Sequence, residues 1–303
     1  MPSIQEELRL RTRRTRPLVR VRTAEVVSAT ELTRRIRRVV VGGADLRGLE
    51  EDALPADAWK FLLPPPGRRR VDLPRTGDDG MPGYAPGAVP PVLRALTVRA
   101  YDPAAAELTV DVLLHGDTPA SAWARRAQPG DTVGLAGPRH EFFASPEADW
   151  HLLAGDLAAL PAIAAILESL PDRTRVLALL EVEDEGDHID LAAPAGAEVV
   201  WLHRHGASAA ANGLLDKAVR EIDRPFAAAQ AWIGAEAGAV RAVRRHLLDE
   251  WGLPRPQVHA AAYWKQSLTS DERDIEVIAA YQAAVAAGGD PDDPALTTDA
   301  DLA

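Results

Sequence analysis

Arg94 and Thr97 stand three residues apart in the run RALTVRAYDPAAAELTVDVLLHGDTPASAWARRAQPGDTVGLAGP. A guanidinium offers a rigid fork of donors that matches a pyrophosphate, and a threonine hydroxyl can bond the polar edge of a ring cofactor. A three-residue offset on a strand puts the two side chains on opposite faces unless a bulge intervenes. An arginine at the start of a strand also serves as a plain surface cation. His115, in His115-Gly116-Asp117, ends an apolar strand and suits either a cofactor contact or a turn. A short helix beginning near Pro119 follows. The unpaired amides of its first turn, at Ala120 and Ser121, suit a phosphate. Trp123 on the same helix carries a large apolar area and fits a core as well as a cofactor.

A second group of candidates lies at strand-to-helix junctions further on. Gly155 and Asp156 open GDLAALP, where a first strand meets a helix at the carboxyl edge of a sheet, the edge at which α/β folds bind nucleotides. Arg204 in WLHR follows a later strand and is placed either for a ribose phosphate or for solvent. Glu236 lies in GAEAG, another junction built of small residues. Lys265 ends Tyr263-Trp264-Lys265, where two aromatics and a cation suit an anionic ring ligand or the packing of a last helix. No GxGxxG, GxxxxGK, HExxH or GxSxG occurs, which leaves nucleotide-kinase, zinc-protease and serine-hydrolase chemistry without apparatus. His203 and His205 flank one residue without evident partners, so no resident metal is expected.

These residues require two kinds of scaffold. Strands are expected over 19–27, 36–41, 57–63, 96–101, 108–114 and 132–136, with the short helix from Pro119 before the last of them. That succession describes a β-barrel closed by one helix. The Pro- and Gly-rich stretch 73–91 reads as a long connection. Beyond residue 147 strands at 151–154, 175–181, 198–202, 227–233 and 257–262 alternate with helices at 157–170, 212–222 and 236–248. Such alternation predicts a parallel sheet covered on both faces. The expected organisation is therefore a β-barrel domain over 18–147, an α/β domain with a parallel sheet over 148–265 and a C-terminal helix over 271–287. The ends 1–17 and 288–303 are expected to be flexible, and the arginine-rich run Arg9–Arg22 reads as a solvated arm or an anion-binding patch.

The chain of 303 residues is 47% apolar, enough for two cores. A net charge of −11 argues against nucleic acid as a partner. Cysteine is absent, which removes disulfides, thiolate nucleophiles and cysteine-ligated iron–sulfur clusters. No apolar run is long enough for membrane insertion and no signal-peptide core is present, so a cytoplasmic location is expected.

The blocks DVLLHGDTPASAWARRAQPGD, LLAGDLAALPAIAAILE, WLHR, WIGAEAGAVRAVRRHL and AAYW occur in an order that resembles the siderophore-interacting proteins, siderophore ferric reductases within the flavin reductase superfamily. The likeness runs from about Arg22 to Ala287. It implies that the barrel is a flavin domain holding FAD non-covalently, with Arg94, Leu96 and Thr97 at the Arg-x-Tyr-(Thr/Ser) positions. It implies that His115, Ala120, Ser121 and Trp123 lie around the FAD phosphates and adenosine. Gly155, Asp156, Arg204 and Glu236 would then border an NAD(P)H pocket in a nucleotide-binding α/β domain. Thr97 and Lys265 would act near the chemistry, which passes a hydride to flavin and then single electrons to a ferric siderophore. The chain departs from the family pattern at Leu96, where an aromatic is usual, at Leu157 and Ala158 in GDLAALP, and at Ser267 in YWKQS. Two rival readings follow from those departures: an FAD protein serving a redox or cyclisation step on a small organic substrate, and a non-enzymatic flavin-binding scaffold.

Overall fold

A computed structural model describes residues 21–49, 53–76, 82–210, 212–225 and 228–289. The arginine run, apart from Val21 and Arg22, and the ends expected to be flexible, apart from Gly288 and Gly289, lie outside the described residues. The chain divides into two compact units between Glu141 and Phe142.

The first unit is a closed barrel. Its strands are β1 (Arg22–Thr33), β2 (Ile36–Gly42), β3 (Ala58–Leu63), β6 (Val92–Asp102), β7 (Glu107–Leu113) and β8 (Thr132–Arg139), joined in the order β1-β2-β7-β6-β3-β8. Neighbouring strands run antiparallel. Alternation sets the faces. Arg22, Ala24 and Val26 of β1 are buried while Thr23, Glu25 and Val27 are exposed, as a pleat with one wet face requires. Closure leaves no unpaired sheet edge. Within the stretch expected to be a plain connection, a two-residue ribbon pairs β4 (Arg75–Thr76) with β5 (Pro82–Gly83). Helix α1 (Pro119–Arg126) then packs its Trp123, 1% exposed, into the barrel core, its ring centroid 6.3 Å from that of Phe61.

The second unit carries a five-stranded parallel sheet in the order β11-β10-β9-β12-β13. Its strands are β9 (Trp150–Asp156), β10 (Arg175–Val182), β11 (Ala197–His203), β12 (Ala229–Glu236) and β13 (Val258–Trp264). The helices are α2 (Leu160–Ser169), α3 (Leu214–Arg220), α4 (Ala237–Asp249) and α5 (Ser270–Ala286). Every residue of β9 and β12 is buried, as expected of central strands covered on both faces. Close packing there depends on glycine. A Cβ on Gly155 would stand 2.7 Å from the Gly234 carbonyl oxygen and 2.8 Å from the Ala159 Cβ.

Three of the departures from the expected bounds have a clear physical reason. β1 runs on to Thr33 because it forms a hairpin with β2, although its later residues have no apolar alternation to reveal it. β6 begins at Val92, so Arg94 lies inside the strand opposite Phe61 and not ahead of it. α3 starts two residues beyond Asn212, because that side chain accepts from the Leu214 amide at 2.7 Å and donates to Glu181.

Candidate functional site

In the barrel, the β3–β6 register runs without a shift from Leu63↔Val92 to Ala58↔Thr97. Directly paired residues share a face, so Arg94 lies with Phe61 and Leu96 with Trp59, on the side of the core. Thr97 points to the other face, roughly 10 Å further along the strand. Arg94 is 9% exposed and donates to the Leu93 carbonyl. Arg126 of α1 donates to the Pro64 carbonyl at 2.7 Å, just past β3. With Trp123 against Phe61, these contacts bring the helix and Arg94 to the same end of the barrel.

The start of α1 is closed by hydroxyls. Thr118 is the N-cap and accepts from the Ser121 amide, and no acidic residue lies in the first turn. Ser121 is fully buried; its Oγ accepts from the His115 amide at 3.0 Å and donates to the His115 carbonyl at 3.0 Å. Ser121 thus staples the turn and its side chain is consumed in doing so. Ala120 lies half-buried beside it. The ring of His115 is exposed; shielding by the turn and then the nearby Arg125 charge lower its pKa, which keeps it neutral. Trp123 belongs to the core, so its part is to hold the helix start in place and not to touch a ligand with its ring. An uncharged helix start, toward which Arg125 reaches back to donate to the Gly116 carbonyl at 2.9 Å, fits the phosphates of a dinucleotide.

Sequence reasoning missed a buried dyad beside Thr97. His140 Nδ1 stands 2.9 Å from Asp57 Oδ1, and both side chains are almost fully buried. The Asp57 carbonyl accepts from Val98, the residue after Thr97. Burial raises the Asp57 pKa to about 6, opposed by its bond to His140. The two residues are 83 apart in the chain, so only the closing of β8 on β3 joins them.

At the carboxyl edge of the parallel sheet, carboxylates replace hydroxyls. Asp156 accepts from the Ala158 amide at 2.9 Å, the Glu236 amide at 3.1 Å and Trp264 Nε1 at 2.7 Å. It ties the ends of β9, β12 and β13 together, and burial raises its pKa in spite of those bonds. Glu236 caps α4 with its own side chain, accepting from Gly238 and Ala239. Gly155 is closed in by Gly234 and Ala159, so its role is packing.

Beside Asp156 in register lies Glu181, which accepts from Asn212 at 2.8 Å; its pKa is raised to about 7, mainly by burial. Arg204 is taken up by acids, with Nη2 3.2 Å from Glu183 and Nε 3.6 Å from Glu181. A cavity of about 210 Å³ adjoins Glu181, lined also by Asn212, Gly213, Asp216, Gly238 and Ala239. Lys265, just past β13, pairs with Glu276 of α5 at 3.2 Å, both partly exposed. The signal for Glu181 and Glu183 was present in the EVED run that ends β10.

His203 has partners after all. Its Nε2 lies 2.8 Å from His188 Nε2, and the His188 ring stacks on Trp201 at 4.3 Å between centroids. Two such nitrogens in contact share one proton. Among the described residues no group of three or more His, Cys, Asp or Glu is arranged to hold a metal ion, and no helix is long and apolar enough to cross a membrane.

Residues 25–142 match the model of the siderophore-interacting FAD-binding domain, and residues 148–267 match that of the siderophore-interacting protein. Among curated relatives, the ferric vibriobactin reductase ViuB of Vibrio cholerae is 34% identical over 250 residues, covering 81% of this chain and 89% of that protein. A siderophore utilization protein from T. fusca superposes with a TM-score of 0.74 at 37% identity, covering 83% of this chain and 95% of the other. The siderophore-interacting protein SipS from Aeromonas hydrophila does so with a TM-score of 0.69 at 27% identity, over 86% and 99% of the two chains. FAD is accordingly the cofactor of the barrel. The chain belongs to the siderophore-interacting protein family.

Proposed function

We propose that the protein is an FAD-dependent NAD(P)H:ferric-siderophore oxidoreductase. The observation that carries this reading is the match of two siderophore-related family models, one over each unit. In the overall reaction one NAD(P)H reduces two chelated Fe(III) centres to Fe(II), giving NAD(P)⁺ and one proton. Bound FAD supplies the step-down from a two-electron donor to a one-electron acceptor. An oxygen-rich chelator holds Fe(II) less tightly than Fe(III), which favours release of the metal.

Each residue then has a task. Arg94 and the first turn of α1, at the half-buried Ala120, take the phosphates, with Thr118 and Ser121 keeping the turn in shape. Trp123 anchors that helix from below. Leu96 offers an apolar contact in place of an aromatic, and Thr97 places its hydroxyl on the opposite face of β6. His115, held neutral, adds a donor without adding charge. Gly155, Asp156, Arg204 and Glu236 shape the sheet edge for the nicotinamide dinucleotide. Lys265 presents a cation to an anionic chelate, for which it must leave Glu276.

The test is an anaerobic spectral titration. Protein reconstituted with FAD should bleach on addition of NADH or NADPH and recover its flavin absorbance on addition of a ferric siderophore. Protein that folds but takes up no flavin, or flavin that stays oxidised with either nucleotide, refutes the proposal. Lys265→Ala should slow reduction of anionic chelates more than of neutral ones; equal slowing would remove its electrostatic role.

A further inference from the structure

We infer that Trp264 is a positioning residue: its indole, tied to the buried Asp156, sets where Lys265 stands and so the preference for anionic chelates. The inference rests on the proposed part of Lys265 and deepens it. A lysine at the free end of a strand carries its charge on a long flexible stem. It recognises a particular anion only if the backbone beneath it is held.

The hold begins with a slip in register. β13 keeps step with β12 as far as Ala235↔Ala262, but Glu236 then lies opposite Trp264, so Tyr263 is the extra residue of a bulge. Tyr263 sets its ring edge-on against the fully buried Trp232, with 6.0 Å between centroids. The slip draws Trp264 one residue back along the sheet edge. There its Nε1 donates to Asp156 Oδ2 at 2.7 Å, the same oxygen that accepts from the Glu236 amide at 3.1 Å. A carboxylate oxygen has two acceptor sites, and these two donors fill them. Asp156 and Trp264 are 108 residues apart in the chain, so only the fold joins them.

The hold continues past the strand. Glu236 Oε1 accepts at 3.3 Å from the amide of Gln266, the residue after Lys265. The Leu268 amide then donates to the Lys265 carbonyl at 3.2 Å and closes a turn. The third residue of that turn, Ser267, has φ of 69°, a conformation that favours glycine. Another residue stays there only where its surroundings fix the chain. Both neighbours of Lys265 are thus bonded to buried carboxylates, Trp264 to Asp156 and Gln266 to Glu236, each acid 5% exposed. The side chain of Lys265 is treated differently. It is 32% exposed and its partner Glu276 is 52% exposed, so that pair parts readily in water. The backbone is fixed while the ammonium is left able to exchange Glu276 for an anionic ligand.

The experiment is a double-mutant cycle of Trp264→Phe and Lys265→Ala in the FAD-loaded protein. Phenylalanine keeps a ring and removes the N–H. Binding is read with gallium(III) complexes, which the reduced flavin leaves unchanged, of an anionic tris-catecholate and a neutral tris-hydroxamate. Turnover of the matching ferric complexes gives KM and kcat. Trp264→Phe should weaken the anionic complex about fivefold, as loss of one charge-assisted bond allows, and raise its KM in step. The kcat, the neutral complex and FAD retention should stay as they were. In the Lys265→Ala background the same substitution should change anionic binding by less than about twofold, since no cation is left to position. A fivefold loss that persists in that background overturns the inference, and so does equal weakening of both complexes by Trp264→Phe. Lys265→Ala without effect on the anionic complex overturns the proposed part of Lys265 and the inference with it. Failure to turn over either ferric complex refutes the proposed reaction, while gallium binding still reads the position of Lys265. Hydrogen exchange in the unmodified protein needs no variant: the exposed Gln266 should have an amide protected at least about tenfold over a free peptide. Exchange at the rate of a free peptide overturns the inference.

Discussion

Two helix starts in this molecule face the same problem and solve it with opposite chemistry. The start of α1, in the barrel, is capped by the hydroxyl of Thr118 and stapled by Ser121, with arginines following. The start of α4, in the α/β unit, is capped by the carboxylate of Glu236, and the turn before α2 by that of Asp156. A neutral cap satisfies one donor and leaves the positive end of the helix available to an anion, whereas a carboxylate neutralises it. The barrel helix thus keeps its positive end free of acidic side chains, whereas the sheet edge of the second unit is already supplied with carboxylates. On the proposed function, this contrast would separate a tightly held cofactor from a co-substrate that must come and go.

The largest expected effect breaks the contrast at Asp156. Asp156→Ala removes the acceptor for Ala158, Glu236 and Trp264 inside the protein. The α/β unit should lose about 3 kcal/mol in denaturant unfolding, with flavin binding by the barrel largely retained. Glu181 gives an effect that depends on pH. Its folded pKa of about 7 lies above the usual 4.5, so the folded state binds more protons than the unfolded one between those values. Its contribution to stability is therefore present below pH 4.5 and is lost as pH rises through 7, by at most about 3 kcal/mol. His151 acts in the opposite sense, because burial lowers its pKa to about 4. The clean reading is the difference between Glu181→Gln and the parent protein, which should shift in favour of the variant across that interval in thermal melts.

On the barrel side, Arg94→Ala should weaken FAD binding by about ten- to a hundredfold, the worth of a charge-assisted bond. Fluorescence titration of the apoprotein reads it, and unchanged affinity would take Arg94 out of the site. Thr118→Ala removes a cap hydroxyl and should cost about 1 kcal/mol of barrel stability with a few-fold loss of flavin affinity. Replacing it by Asp sharpens the comparison, since a charged cap should preserve stability and still weaken FAD. The smallest effect is expected at Lys265→Gln. Its partly exposed pair with Glu276 should contribute less than about 1 kcal/mol to the seating of α5, as urea unfolding would measure.

Much of this was legible in the chain. Strand and helix periods marked both units, and Pro119 marked the start of α1, because alternation and capping are local properties that neighbouring residues impose on each other. The later half of β1 was hidden, since its pairing with β2 replaces apolar alternation as the source of order. The ordered motif blocks pointed to the family, and with it to Arg94, Thr97 and Arg204.

Residue types and their spacing thus determined the two scaffolds, the family and which positions deserved attention. Only the folded chain decided what those positions do. It buried Trp123 in the core, spent Ser121 on its own turn, set Arg204 between Glu181 and Glu183, and joined Asp57 to His140. The reason is that charge pairing and burial depend on groups far apart in the chain, and neither a period nor a motif records which of them will meet.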